Sequence, residues 1–187
     1  MNILWDFDGT LFDTYPVYTK LMKQVLGPAF SEDEIYRQLK ISFEHAFAVF
    51  HLTRQQMGYF FALYRRTPAL SFRPFPGVKE VLRAADTNVI MTHNDRKSLL
   101  KMLKLYRLND CFAEAVTGDD GFPRKPDPAA YRYLSSRHPV DLVVGDRRID
   151  IIPGKKLGMK TCLFQNHEPG ADFYVDDYQQ FFDSVRI

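Results

Sequence analysis

The stretch from Met1 to Thr10, MNILWDFDGT, indicates the fold class of this chain. Asn2 to Trp5 form a short apolar run without polar alternation, which is typical of a strand buried on both faces of a parallel sheet. Asp6 and Asp8 follow at once, and strand alternation sends both side chains to the same side. Gly9 allows the backbone to turn sharply after them. We therefore predict a buried strand that delivers two acids to one end of a sheet.

Four further apolar runs of the same kind follow along the chain: Asn88 to Thr92, Ala113 to Thr117, Asp141 to Val144 and Lys160 to Phe164. Helical patterns lie between them, at Val78 to Ala85, at Leu99, Met102, Leu103 and Tyr106, and at Asp127 to Ser136. This alternation predicts an α/β fold, a doubly wound parallel sheet with helices on both faces. Such sheets bind their ligands at the carboxyl ends of the strands.

One segment interrupts the alternation, because from about Tyr15 to Arg66 the apolar pattern is helical throughout. Two capping boxes, Ser31 with Glu34 and Thr53 with Gln56, mark helix starts inside it. We therefore predict two domains, a core formed by residues 1–13 and 77–187 and an inserted helical cap formed by residues 14–76. The cap carries eight basic residues against four acidic ones, which suits an anionic substrate but is also common on exposed helix faces.

The composition excludes several functional classes. The chain has 187 residues and a formal charge of +2, so it offers no electrostatic footprint for nucleic acid or for an anionic membrane. The acidic N-terminal stretch does not resemble a signal peptide, and no apolar run approaches the length of a membrane span. Cys111 and Cys162 are far apart, which favours a reducing compartment. We expect a cytoplasmic protein, either a monomer or a homodimer.

A second acidic pair makes the first one informative. Asp146 follows the fourth predicted strand directly, and Asp150 comes four residues later. Carboxylates that converge from two neighbouring strands are unfavourable without a cation, and a donor set made only of oxygen favours Mg²⁺. Lys125, in the proline-flanked sequence RKPDP, is a candidate for a fixed positive charge beside these acids, although most lysines are simply exposed.

The second predicted strand ends in Thr92, His93, Asn94 and Asp95, at the start of a helix. A hydroxyl, an amide and the first backbone N–H groups of a helix form a site that can bind an anion. Asn94 or Asp95 can equally serve only to cap the helix. His93 has no evident partner in the sequence, and we interpret it as structural.

These residues together resemble the four motifs of the haloacid dehalogenase superfamily, and the layout is most similar to phosphoglycolate phosphatase-like members with an α-helical cap. The motifs occur in order, as DFDGTLFDT from Asp6 to Thr14, Thr92, Lys125 in RKPDP, and GDRRID with Asp146 and Asp150. Relatives commonly place Asn directly after the second-motif Thr or Ser. Here His93 intervenes and Asn94 comes one position later.

The resemblance implies a Mg²⁺-dependent phosphatase that hydrolyses a small phosphorylated metabolite. Asp6 would be the nucleophile that forms an aspartyl-phosphate, and Asp8 the general acid and base. Thr92, Asn94 and Lys125 would bind the phosphoryl group. The ligands of Mg²⁺ would be the Asp6 carboxylate, the backbone carbonyl of Asp8 and Asp146, with Asp150 binding directly or through water. Two alternatives remain open, a β-phosphoglucomutase-like phosphotransferase and a non-catalytic binding protein on the same fold.

Overall fold

The computed structural model describes residues 1–186. Its strands are β1 (Asn2–Trp5), β2 (Phe12–Asp13), β3 (Arg73–Pro74), β4 (Thr87–Met91), β5 (Glu114–Val116), β6 (Leu142–Gly145), β7 (Lys160–Phe164) and β8 (Phe173–Val175). Its α-helices are α1 (Tyr15–Leu26), α2 (Glu32–Ile41), α3 (Phe43–Val49), α4 (Arg54–Arg66), α5 (Val78–Ala84), α6 (Arg96–Leu105), α7 (Ala129–Arg137), α8 (Arg148–Lys156) and α9 (Phe181–Ser184).

Six strands form one parallel sheet in the order β5-β4-β1-β6-β7-β8, so β1 lies between two later strands. Trp5 is paired with Ile90 of β4 on one side and with Val144 of β6 on the other. The α/β class and all five predicted strands are confirmed. The sixth strand, β8, was not predicted, because it has only three residues and lies half-buried at the edge of the sheet, where apolar patterning is weak.

The central strand buries side chains on both faces of the sheet. Leu4 belongs to a cluster on one face with residues of neighbouring strands and of α7, namely Val89, Met91, Val116, Ala130, Tyr131, Leu134 and Val143. On the other face the Trp5 ring packs 5.9 Å from the rings of Tyr178 and Phe181. The Trp5 Nε1–H donates to Asn88 Oδ1 at 2.8 Å. Burial on both faces explains why β1 has no polar alternation.

The chain divides into two compact units, one formed by Met1–Phe12 with the chain from Pro74 onward, and the other by Asp13–Arg73. The second unit contains α1 to α4. Both predicted capping boxes are present, since Ser31 Oγ accepts from the Glu34 N–H and Thr53 Oγ1 accepts from the Gln56 N–H. A short two-stranded sheet of β2 and β3 is separate from the main sheet.

Aromatic rings make up much of the interior of the second unit. Phe60 lies 5.6 Å from Phe43 and 5.8 Å from Phe47, and Tyr18 lies 5.0 Å from Phe43, measured between ring centroids. These rings therefore pack the helices against one another, as expected for apolar residues at helical spacing. Within residues 1–186, no helix combines the length and the apolar character needed to cross a membrane.

Two helical glycines provide a matched test of packing. A Cβ at Gly154 of α8 would lie 2.6 Å from Val143 Cγ2 in the core, whereas a Cβ at Gly58 of α4 would meet nothing within 4 Å. We expect Gly154→Ala to lower the free energy of unfolding by about 1–3 kcal/mol through overpacking. Gly58→Ala should instead raise it by about 0.5–1 kcal/mol, since Ala favours the helix. Chemical denaturation measures both effects, and a stabilised Gly154→Ala would contradict the close packing of α8 on β6.

Candidate active site

The carboxyl end of β1 holds the first acidic pair in a tight turn. Asp6 continues the strand direction, and its N–H donates to Val144 O at 2.9 Å. Its side chain is only 3% exposed, and Asp6 Oδ2 accepts from Thr10 Oγ1 at 3.2 Å. Gly9 has φ of 76°, a conformation that glycine adopts without steric cost. The turn therefore buries Asp6 and leaves Asp8 half-buried beside it.

The carboxyl end of the neighbouring strand β6 holds the second acidic pair. Asp146 and Asp150 are both fully buried. Gly145 lets α8 approach the strand closely, since a Cβ at this position would lie 2.2 Å from Asp150 Cβ. Carboxylate oxygens of Asp6, Asp146 and Asp150 all lie within 4.8 Å of one another. The fold thus brings together the three acids that the sequence predicted to converge.

Lys125 provides a buried positive charge between two of these acids. Its Nζ donates to Asp6 Oδ1 at 2.6 Å and to Asp150 Oδ1 at 2.9 Å, and the side chain is inaccessible to solvent. Burial alone would lower the pKa of Lys125, but Asp150 and Asp6 raise it above its usual value. Lys125 therefore remains an ammonium and is not the exposed lysine of the alternative interpretation.

In the described part of the chain, the site holds three buried carboxyl groups but only one lysine ammonium, that of Lys125. Burial, and then the charge of Asp150, raise the pKa of Asp6 more than Lys125 and Arg147 lower it. A divalent cation at this place would favour the ionised form of all three carboxylates. These three side chains offer only oxygen atoms, which suits a hard ion such as Mg²⁺ rather than a softer metal. The residues present therefore fit the predicted metal.

The loop after β4 brings the remaining predicted residues to the same edge of the sheet. Thr92 is buried, and its Oγ1 accepts from the Asn94 N–H at 3.2 Å. The Asn94 Nδ2–H donates to Asp8 Oδ2 at 2.8 Å, a contact that the sequence did not indicate. Asp95, rather than Asn94, caps α6, because Asp95 Oδ1 accepts from the Ser98 N–H.

Three supporting residues of the site were not predicted from the sequence. The Tyr131 hydroxyl donates to Asp150 O at 2.8 Å, and the Asn166 amide donates to Asp146 O at 2.8 Å. The Arg147 N–H donates to Asp150 Oδ2 at 3.0 Å. Tyr131 occupies an apolar position of α7 and reads as a core residue, whereas the other two lie in loops without a periodic pattern. Tyr131 and Asn166 leave no sequence signal, because their partners are backbone oxygens 19 and 20 residues away in the chain. Arg147 differs, since its partner Asp150 follows only three residues later.

Replacing Lys125 tests how far the site depends on this ammonium. Lys125→Met keeps most of the volume but leaves Asp6 and Asp150 without their common partner, and loss of one member of a buried pair costs about 3–5 kcal/mol. We expect chemical denaturation without metal to show a loss of this size, and a smaller loss when Mg²⁺ is added. Lys101→Met, on the exposed side of α6, is the control and should change little. Equal stability of both variants would contradict the arrangement.

The histidine of the β4 loop gives a pH prediction. Burial, and then the charges of Lys125, Arg124 and Arg147, lower the pKa of His93 from 6.5 to about 3. Between these values the unfolded chain binds a proton that the folded chain does not, so stability falls as the pH falls. We expect the melting temperature of the wild type to drop more than that of His93→Gln between about pH 7 and about pH 5. Parallel curves for the two proteins would contradict the lowered pKa.

Comparison with known proteins identifies the family of this chain. Residues 3–164 match the family described as haloacid dehalogenase-like hydrolase. A phosphoglycolate phosphatase of Vibrio vulnificus (strain CMCP6) is 30% identical over 153 residues, which cover 73% of this chain and 67% of that protein. A phosphoglycolate phosphatase of Vibrio parahaemolyticus is 27% identical and covers 99% of this chain and 96% of its own length.

Solved structures show the same fold. One is the crystal structure of a protein from Bacteroides fragilis whose title reads putative haloacid dehalogenase-like hydrolase. It superposes on this chain with a TM-score of 0.80 at 19% sequence identity, and the match covers 96% of this chain and 98% of that protein. At this identity the likeness concerns the fold, while the family match rests on the sequence. The chain belongs to the haloacid dehalogenase-like hydrolase family, as a phosphoglycolate phosphatase-like phosphoric monoester hydrolase.

Proposed function

We propose that this protein is a Mg²⁺-dependent phosphatase that hydrolyses a small phosphomonoester through an aspartyl-phosphate on Asp6. The observation that carries the proposal is the buried group of Asp6, Asp146 and Asp150 around the Lys125 ammonium. Phosphoryl transfer distributes negative charge over the transferred oxygens, so a catalyst mainly needs fixed positive charge and oriented donors. This site supplies acids for a cation, a permanent ammonium and a nucleophile at one point.

In the first step, an Asp6 carboxylate oxygen forms a bond to phosphorus while the bond to the ester oxygen breaks. Asp8 gives its proton to the departing oxygen, which leaves as an alcohol. The Asn94 amide donates to Asp8 Oδ2 at 2.8 Å and so orients the Asp8 carboxyl group, to which we assign the proton transfer. Lys125 and Thr92 bind phosphoryl oxygens, and the second amide N–H of Asn94 completes the set.

In the second step, Asp8 takes a proton from a water molecule, whose oxygen attacks phosphorus and releases Asp6. Inorganic phosphate leaves, and both acids return to their starting states. Bound Mg²⁺, held by the carboxylates of Asp6, Asp146 and Asp150 and by the Asp8 carbonyl, would neutralise charge on the phosphoryl group.

The charge of the inserted unit and the relatives of the chain support the substrate class that we propose. A small phosphorylated metabolite is anionic, and the inserted unit carries twice as many basic as acidic residues between positions 14 and 76. The curated relatives are named phosphoglycolate phosphatases, so 2-phosphoglycolate is the first ester to test. We propose that the protein acts on an ester of this size and charge rather than on a phosphoprotein or a nucleic acid.

Phosphate release from a panel of esters tests the proposal. The panel includes 2-phosphoglycolate, sugar phosphates, nucleotides and p-nitrophenyl phosphate, each with Mg²⁺ and with a chelator. We expect release that needs Mg²⁺ and that falls by roughly 10³-fold or more in Asp6→Asn, since the nucleophile is lost. Asp110→Asn makes the same substitution at an exposed residue between α6 and β5, and this matched control should keep full activity.

Product analysis separates the alternatives. A β-phosphoglucomutase-like enzyme would return an isomeric sugar phosphate with little free phosphate. A binding protein would retain an ester without converting it, in the wild type and in Asp6→Asn alike. Absence of release above the Asp6→Asn background across the whole panel would overturn the proposal.

A further inference from the structure

The loop formed by His93 and Asn94 connects three other loops at the carboxyl edge of the sheet. Asn94 donates from its side chain to Asp8 Oδ2 at 2.8 Å and accepts at its carbonyl oxygen from the Gly118 N–H at 2.9 Å. His93 Nε2 accepts from the backbone N–H of Lys125 at 3.2 Å. The loop is closely packed, since a Cβ at Gly118 would lie 2.6 Å from His93 O. His93 therefore has a partner that could not be predicted from the sequence.

The contact with Lys125 matters because of the segment that carries this lysine. Residues 121–127, all of them within the described chain, form neither helix nor strand. Pro123, Pro126 and Pro128 have no N–H group, so few backbone donors can anchor the segment. The ammonium of Lys125 nevertheless has to reach Asp6 at 2.6 Å and Asp150 at 2.9 Å. An anchor on the Lys125 backbone fixes the point from which that side chain starts.

The chemical state of the ring suits this contact. A ring nitrogen accepts a hydrogen bond only when it carries no proton, so the proton of a neutral His93 lies on Nδ1. Burial and the surrounding cations keep the pKa of His93 at about 3, so the acceptor persists at neutral pH. A side chain that only filled space would not need a lone pair at this place.

We propose that His93 is a positioning residue, which holds the backbone of Lys125 so that the ammonium stays between Asp6 and Asp150 and faces the phosphoryl group. The hydrogen bond between His93 and the Lys125 backbone is independent of any activity. The expected effect of His93 on catalysis rests on the proposed function, because only a phosphoryl-transfer site would use the ammonium in this way.

Two substitutions at His93 separate positioning from packing. His93→Phe keeps a ring of similar shape and removes the acceptor, whereas His93→Gln places an amide oxygen near the position of Nε2. In the ester assay we expect His93→Phe to lower kcat about tenfold and to raise the inhibition constant of inorganic phosphate about tenfold. Changes of this size are expected when a buried donor loses its hydrogen-bond partner. His93→Gln should stay within about threefold of the wild type. His167→Phe, at an exposed loop position, is the control and should not change either value.

Hydrogen exchange at the Lys125 amide gives a readout that does not depend on activity. We expect this amide, followed by NMR, to exchange slowly in the wild type and in His93→Gln and at least tenfold faster in His93→Phe. Melting temperatures of all variants verify that each protein is folded under the conditions used.

The outcomes distinguish the two proposals. Unchanged exchange at Lys125 in His93→Phe would overturn the positioning role, and so would faster exchange with unchanged kcat and unchanged phosphate inhibition. Equal impairment of His93→Gln and His93→Phe would overturn it as well, because it would indicate packing. If the wild type hydrolyses no ester, the proposed function fails, and the exchange data alone decide whether His93 anchors Lys125.

Discussion

The arrangement of this site depends on an imbalance of buried charge. Asp6, Asp146 and Asp150 lie in the protein interior with their oxygens within 4.8 Å of one another, and Lys125 offers one ammonium to two of them. An ion taken out of water loses several kcal/mol of hydration, so such a group persists only when partners surround each charge. These partners are the Lys125 ammonium, the supporting hydrogen bonds and the Arg147 guanidinium, whose Nε lies 3.7 Å from Asp146 Oδ1 and 3.4 Å from Asp150 Oδ2. The same imbalance leaves the site suited to a cation and to an anionic ligand together.

Parallel strands explain why these side chains meet. β1, β4 and β6 are neighbours in the sheet although they are far apart in the sequence, and each ends at the same edge. The acidic pairs come from β1 and β6, and the Thr92 loop comes from β4. The side chains are therefore placed by the sheet register, with Trp5 opposite Ile90 and Val144, rather than by any local structure around them.

The sequence predicted the sheet well because its central strands are apolar on both faces and end in acids or hydroxyls. It also predicted the convergence of Asp6, Asp146, Asp150 and Lys125, since strand ends of one sheet share an edge. It did not predict β8, which is short and half-buried, nor the role of Tyr131, whose hydroxyl lies on an otherwise apolar helix position. His93 was interpreted as structural, because its partner is a backbone N–H 32 residues away and leaves no trace in the residue pattern.

The position of β1 has a consequence for the order in which the chain folds. The second unit is closed by contacts among α1 to α4, which are close in sequence, and such contacts form quickly. β1, by contrast, needs β4 and β6 as neighbours, and Ile3 pairs with Leu142 only after most of the chain has been made. During synthesis on the ribosome, the helical insertion can therefore assemble before β4 and β6 are available to pair with β1. The acids become a site late, in the same event that buries the central strand.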